Sequence, residues 1–315
     1  MAAFITYPFE PEGLFQGHGY SAARRAVLWP VVLPALKAAA RQAGTKFEKP
    51  GLAVAHQTLH DVWRSRIKKL ASAGWSPVRA DADADPKADG TRSANYRFVC
   101  VANCPPFAAR TRRGQKGHEC HRSRVCPMCY ARRVVIELYK ATAYAFFPDD
   151  EGRRHQRVGI AACRRTFDVG LSERGADGWL LEANRLRFAD ADRVPTARGS
   201  AVLTTFEPLQ GQPGRIRIVR STLLLVPQAI DLDPLRVKGD VMAVEPAEVT
   251  KKSIGQVVSW AAKYPLGMMY GDAPIAVALY EAAAAKRAKM FTTAGLLRNN
   301  QARTPARAAD ASQLD

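Results

Sequence analysis

The residues with the clearest capacity for chemistry in this sequence are five cysteines between positions 100 and 129. Within this group, Cys126-Pro-Met-Cys129 has the spacing of a metal knuckle, a tight turn that directs two thiolates at one ion. Because zinc takes four ligands in a tetrahedron, we expect a structural zinc site. The expected ligands are Cys104, Cys120, Cys126 and Cys129, with Cys100 as a substitute ligand and His118 or His121 as weaker ones.

Arginines surround the cysteine cluster and indicate that it binds a polyanion. The whole chain of 315 residues carries 47 Lys and Arg against 29 Asp and Glu, a formal net charge of +18. Such a balance is typical of proteins that bind nucleic acid, although proteins that bind anionic membrane surfaces and inert basic proteins can have the same charge. From the cluster we expect contacts to DNA by Arg112, Arg113, Arg122, Arg124, Arg132 and Arg133.

The cellular setting follows from hydropathy and from the use of cysteine. No uninterrupted apolar run reaches the roughly 18 residues that a membrane-spanning helix needs, so we expect no membrane partner. The first ten residues lack the basic and apolar pattern of a secretory leader, which predicts a cytoplasmic protein. Clustered thiols in a reducing compartment favour zinc over disulfides. The isolated Cys163 reads as a small core residue.

The elements that must position these residues predict an α+β protein, with an antiparallel sheet flanked by helices and a zinc-stapled Cys-rich loop. Leu59, Trp63, Ile67 and Leu70 recur at helical spacing with basic residues between them, which predicts an amphipathic helix. Segments 201–207 and 215–226 are β-like and are joined by Gln-Gly-Gln-Pro-Gly, which predicts an antiparallel hairpin. Further strands are expected near 157–163 and 240–245, and helices over 131–147, from 253 and from 272.

Composition also divides the chain into regions. We expect a helical N-terminal region over 1–80, a linker over 81–95 and a zinc and basic module with its helix over 96–147. The sheet and C-terminal helices would occupy 148–300, and 301–315 would form a flexible tail.

Two segments resemble one family of proteins. The first is Cys120-His-Arg-Ser-Arg-Val-Cys126-Pro-Met-Cys129 with the pair Arg132 and Arg133 after it. It resembles the Cys-rich segment of rolling-circle replication initiators from bacterial plasmids and filamentous phages. The second is Ala262-Lys263-Tyr264-Pro265, which is similar to the tyrosine motif of that family. A weaker third match, from Lys286 to Arg298, looks like the basic and Gly-containing stretch that follows it.

The resemblance implies a role for Tyr264. Its phenolate would attack a phosphodiester of the replication origin and leave a 5′-phosphotyrosyl bond and a free 3′-hydroxyl. A divalent ion, Mg²⁺ or Mn²⁺, would polarise the phosphate, and Lys263 would contact the DNA backbone. This chemistry requires that Tyr264 be exposed over a positively lined groove. The expected partners are single-stranded or cruciform origin DNA and host replication proteins.

The sequence departs from the family at the expected metal site. Family initiators hold their metal with two histidines separated by one residue on a central strand, and no two of the six histidines here have that spacing. The corresponding strand offers Val219, Arg220 and Ser221. Arg217 and Arg220 are therefore expected to meet the phosphate directly, because a guanidinium matches phosphate geometry. His56 and His60, four apart on a helix, form a weaker candidate metal pair.

The leading interpretation is rolling-circle replication initiation by site-specific nicking and religation of origin DNA. The alternative is a non-catalytic, zinc-containing DNA-binding protein that regulates replication or copy number. A third class is an RNA-binding protein that uses the same basic surface.

Overall fold

A five-stranded antiparallel sheet with helices packed against it forms the described part of the chain. In this computed structural model the described residues are 17–74, 126–147, 157–170, 197–227, 239–285 and 291–299. The predicted α+β class is therefore confirmed. The linker expected over 81–95, the tail over 301–315 and most of the cysteine module lie outside the described residues.

The sheet has the strand order β4-β1-β3-β2-β5, with β3 at its centre. Its strands are β1 Val158–Gly170, β2 Gly199–Pro208, β3 Arg215–Pro227, β4 Asp240–Val244 and β5 Phe291–Gly295. The hairpin predicted from the Gly-rich turn is confirmed, since β2 pairs with β3 from Gly199 opposite Leu225 to Pro208 opposite Ile216. Glycines with positive φ at 211 and 214 allow the tight reversal between the two strands.

The helices precede, interrupt and follow the strands. Their bounds are α1 Gly17–Ala23, α2 Trp29–Gln42, α3 Leu52–Ser72, α4 Pro127–Tyr130, α5 Glu137–Phe146, α6 Lys251–Ala261, α7 Gly267–Tyr270, α8 Ala273–Ala285 and α9 Leu296–Asn299. Two π-helical turns, Arg24–Leu28 and Ala131–Ile136, join α1 to α2 and α4 to α5. A short 3-10 turn, Pro246–Glu248, precedes α6. The predicted amphipathic helix is α3, and the predicted helices near 253 and 272 are α6 and α8.

The two faces of the sheet are distinct because side chains alternate along a strand. On one face, Ala162, Leu223 and Ala201 form a row across β1, β3 and β2 and belong to the main hydrophobic core with the helices. On the other face, Ala161 and Leu224 belong to a separate small cluster. We call the first the helix-facing side. Every odd-numbered residue of β3 and every even-numbered residue of β1 lies on it.

The N-terminal helices share this main core. Val31 of α2 and Leu59 of α3 belong to the same cluster of buried residues as Val257 of α6 and Met268 of α7. In the described residues, the boundary expected at position 80 therefore does not separate two hydrophobic cores. None of the described helices is both long enough and apolar enough to cross a membrane.

Candidate functional site

Tyr264, the expected nucleophile, is buried where α6 meets the N-terminal helices. Its side chain is 1% exposed. Its ring packs edge-to-face on Tyr130, with ring centroids 5.3 Å apart and an interplanar angle of 81°. Burial raises the pKa of the Tyr130 hydroxyl well above its usual value, and the positive charge of Arg164 only opposes this shift. Two tyrosines thus form an apolar contact in the core.

The backbone of the same segment is tied to α2 and to the π-turn before it. The Tyr264 amide donates to the carbonyl of Ala26 at 2.8 Å. Pro30, four residues after Ala26, has no N–H and so cannot donate an α-helical hydrogen bond to that carbonyl. The hydroxyl of Tyr270 donates to the carbonyl of Val31 at 2.7 Å. These two hydrogen bonds tie the tyrosine segment to the backbone at the start of α2 and just before it.

Arg66 of α3 holds the other end of this segment. It is 3% exposed, and its Nε donates to the carbonyl of Met268 at 2.8 Å. Its Nη1 donates to the carbonyl of Gly271, also at 2.8 Å. One buried guanidinium thus satisfies two carbonyls at the end of α7. The sequence predicted a basic face for this helix, but an arginine buried against backbone carbonyls was not anticipated.

These contacts decide the setting of the predicted catalytic residue. The prediction that Tyr264 is exposed over a positively lined groove is wrong, because its ring is enclosed by the core and its backbone is bonded to the π-turn before α2. In the described conformation a phosphodiester has no access to a phenol that is 1% exposed. Lys263, by contrast, is exposed, so its predicted DNA contact is sterically open.

The two arginines expected to line one groove lie on opposite faces of the sheet. Arg217 is paired with Asp168 and Glu207 on the helix-facing side. Arg220 is three residues further along β3 and so projects to the opposite side, where it is 1% exposed. A DNA contact by Arg220 stays a prediction, and in this conformation its side chain is buried. An odd separation along a strand always divides two side chains between its faces.

Arg217 is already engaged by a carboxylate. Its Nε and Nη2 donate to the two oxygens of Asp168 at 2.7 and 3.0 Å, a bidentate pair. The hydrogen bonds from Arg217 lower the pKa of Asp168, and Asp168 raises the pKa of Arg217 in turn. Glu207, the register partner on β2, accepts a hydrogen bond from the Gly267 amide at 3.0 Å. This end of the sheet therefore has mixed charge and is not an open cationic groove.

An arginine that the sequence did not single out interacts electrostatically with Tyr130 of the tyrosine pair. Arg164 of β1 places its guanidinium 4.3 Å from the ring centroid of Trp260, on α6. Burial lowers its pKa, while Asp240, Tyr130 and Glu207 act in the opposite direction. Alternation counted from the apolar residues Ile160 and Ala162 could have placed it on the helix-facing side.

The histidine motif of the resembling family has no counterpart on the central strand. Val219 and Ser221 occupy the helix-facing side of β3, where that motif would stand. Burial, followed by repulsion from His60 and Arg24, lowers the pKa of His56 to about 4. Burial also lowers the pKa of His60. Both imidazoles are therefore neutral at pH 7. Among the described residues there is no group of three or more potential metal ligands.

The expected zinc site falls mainly outside the described residues. Cys126 is buried, with 1% of its surface exposed, and immediately precedes α4, in which Cys129 lies. The carbonyl of Cys126 accepts the amide of Tyr130 at 2.9 Å, which closes the first turn. Cys100, Cys104 and Cys120 are not described. Zinc ligation stays a prediction, and Cys126 contributes a buried start to the helix that carries Tyr130.

We expect purified protein to contain about one zinc per chain by elemental analysis. Cys126→Ser should lower both the zinc content and the thermal midpoint, because a thiolate ligand is replaced by a poor one. Cys163→Ser is the matched control. Cys163 is buried in the small cluster on the other face of the sheet, so this variant should keep its zinc. Metal-free wild-type protein of full stability would contradict the site.

The remaining predicted DNA-binding arginines are not described structurally. Arg112, Arg113, Arg122 and Arg124 lie outside the described residues, and only the backbone of Arg132 and Arg133 is described, within the second π-turn.

Comparison of the chain with models of protein families, with curated proteins and with solved structures gives no match.

Proposed function

We propose that this protein binds DNA in the initiation or control of replication and that, in the described conformation, Tyr264 serves its core. The observation that carries this choice is the 1% exposure of Tyr264, which favours binding over strand cleavage. Replication-origin DNA is the proposed ligand because segments 120–133 and 262–265 resemble those of rolling-circle initiators. A non-catalytic DNA-binding protein of this kind would regulate replication or copy number.

The distribution of charge supports a polyanionic partner. Residues 17–74 contain ten Lys and Arg against two Asp and Glu. Eight of these cations are exposed, namely Arg25, Lys37, Arg41, Lys46, Lys49, Arg64, Lys68 and Lys69. Basic side chains release condensed counterions from a nucleic acid when they bind its phosphates. Such a surface therefore favours DNA binding at low and physiological salt.

Nicking is the second candidate, and one geometric observation favours it. Helix α6 ends at Ala261, just before Tyr264, and packs on β1 and β3. It covers the side of β3 that carries Val219 and Ser221, where the family's metal ligands would stand. For cleavage, Tyr264 would have to leave the core and break its hydrogen bond to Ala26. The proposed nicking therefore requires an opened form of the protein.

One experiment separates the two candidates. Full-length protein is incubated with labelled origin DNA, in duplex and single-stranded form, with Mg²⁺ or Mn²⁺. Half of each sample is assayed for binding by fluorescence anisotropy over a range of salt concentrations, and half is run on a denaturing gel. We expect salt-dependent binding that is the same in wild type and Tyr264→Phe, and no covalent adduct.

The controls make each result decisive. Tyr144→Phe, a half-buried tyrosine of α5, controls for general loss of a hydroxyl. An adduct that forms with wild type and Tyr144→Phe but disappears with Tyr264→Phe would overturn the binding-only proposal in favour of nicking. Tighter binding to RNA of equal length than to either DNA would overturn both candidates in favour of an RNA-binding protein.

A further inference from the structure

The connection between α2 and α3 runs back along α2. Helix α2 ends in a Schellman motif, in which the Thr45 amide donates to the Ala40 carbonyl at 2.9 Å and the Gly44 amide to the Arg41 carbonyl at 3.2 Å. Gly44 has φ 63°, which a residue without a side chain adopts without strain. This turn reverses the chain and lays the next residues beside the helix that they follow.

Two cation–ring contacts show how far the connection extends. The Nζ of Lys37 lies 5.7 Å from the ring centroid of Phe47, and the Nζ of Lys49 lies 4.5 Å from that of Trp29. Trp29 is the first residue of α2, so the connection extends back along the full length of the helix by the time it reaches Lys49. A helix of 14 residues is about 21 Å long, which an extended segment of seven residues can span.

Four exposed cations therefore lie on α2 and on the connection that runs back along it. Lys37, Arg41, Lys46 and Lys49 are all exposed, whereas Trp29 and Phe47 are half-buried beneath the lysines. Lys37 and Arg41 are four apart and so lie on the same side of the helix. Glu48 is the acidic residue of this connection. We call these four cations and two rings the α2 patch.

The rings determine what kind of nucleic-acid group the patch can contact. An aromatic ring that stacks on a base must have a free face. In the α2 patch the rings of Trp29 and Phe47 each carry an ammonium group, so they hold lysines in place instead of offering stacking platforms. The chemistry that remains for a ligand is a row of positioned positive charges, which suits phosphates and carries no base information.

We propose that the α2 patch binds the phosphate backbone of duplex DNA, independently of sequence. In a duplex the bases are stacked inside and the phosphates lie on the outside. The α2 patch is complementary to this exterior, because it presents positive charges and no free ring face. An anionic membrane is the weaker partner, since among the described residues Val54 is the only large hydrophobic side chain that is exposed. This inference rests on the proposed DNA-binding function and adds where and how the protein holds its ligand.

The test compares two variants of the full chain that lose the same charge. The patch variant replaces Lys37, Arg41, Lys46 and Lys49 by Gln. The control variant replaces by Gln four exposed cations on other elements, Arg157, Arg198, Lys252 and Arg298. Affinity for a fluorescent duplex of arbitrary sequence is measured by anisotropy at several salt concentrations, after thermal unfolding has shown that both variants are folded.

We expect the patch variant to bind at least about tenfold more weakly near physiological salt, and its salt slope to fall by about 2 to 4, since each lost phosphate contact removes about 0.9. The control variant should keep most of the affinity and slope. Phe47→Leu, which removes the ring under Lys37, should weaken binding by about two- to threefold and leave the slope unchanged.

Other results would overturn the inference. Equal losses in both variants would mean that only net charge matters, and no loss in the patch variant would place the contact elsewhere; in either case the proposed function would stand. Tighter binding to phosphatidylserine vesicles than to the duplex would identify a membrane surface instead. A wild type that binds no DNA would remove the proposed function as well.

Discussion

Replacing Arg66 by methionine should lower the free energy of unfolding by about 3 kcal/mol. The buried guanidinium donates two hydrogen bonds, to the carbonyls of Met268 and Gly271, and hydrogen bonds to charged groups each contribute about 1.5–3 kcal/mol. Methionine keeps the length of the side chain but leaves both carbonyls without this donor. The shift is measured as the change in the urea midpoint at constant slope.

Arg64→Met is the matched control for this prediction. Arg64 lies on the same helix two residues earlier and is exposed, so its loss should change stability by no more than about 0.5 kcal/mol. If both variants unfolded at the same denaturant concentration as wild type, Arg66 would not be the tie between α3 and the segment after α6. The Tyr264 segment would then be held by its contacts to Ala26, Val31 and Tyr130 without a contribution from Arg66, which would make an opened form easier to reach.

Removing the ring of Tyr264 should also destabilise the protein strongly. Tyr264→Ala deletes a buried aromatic that packs on Tyr130, and such deletions cost about 3–5 kcal/mol. Tyr264→Phe keeps the ring and its packing and should cost no more than about 1.5 kcal/mol, the upper end of the net value of one hydrogen bond. Thermal or urea unfolding of the two variants measures this difference.

The two roles considered for Tyr264 differ in this measurement. A side chain that serves chemistry at a surface can be removed with little effect on stability, whereas a core ring cannot. Lys263→Ala, the exposed neighbour, gives the surface baseline and should stay within about 0.5 kcal/mol of wild type. A Tyr264→Ala variant as stable as Lys263→Ala would argue that the ring is not part of the core.

Local patterns in the sequence were enough to predict most of the secondary structure. Leu59, Trp63, Ile67 and Leu70 recur at helical spacing, and α3 buries all four. The turn before Arg215 joins two β-like segments, and β2 and β3 pair across it. These predictions succeed because helix and strand periodicities depend on neighbours within one or two turns.

Once β3 was identified as a strand, the sequence was also enough to predict which face of the sheet each of its side chains lies on. Arg217 and Arg220 lie three positions apart, and an odd difference in position places two side chains on opposite faces of an extended strand. The expectation that both line one groove therefore overlooked a rule that needs no tertiary information. Asp168 as the partner of Arg217, however, depends on the register between β1 and β3.

By itself the sequence determined the basic charge, the helical and strand segments and the cysteine spacing, because these are properties of composition and local order. Only the tertiary structure decided that Tyr264 is buried. Its position depends on Ala26, Arg66 and Tyr130, residues brought to it from distant parts of the chain. A short motif such as Ala-Lys-Tyr has the same sequence whether it lies at a surface or in a core, and long-range packing determines which of the two it is.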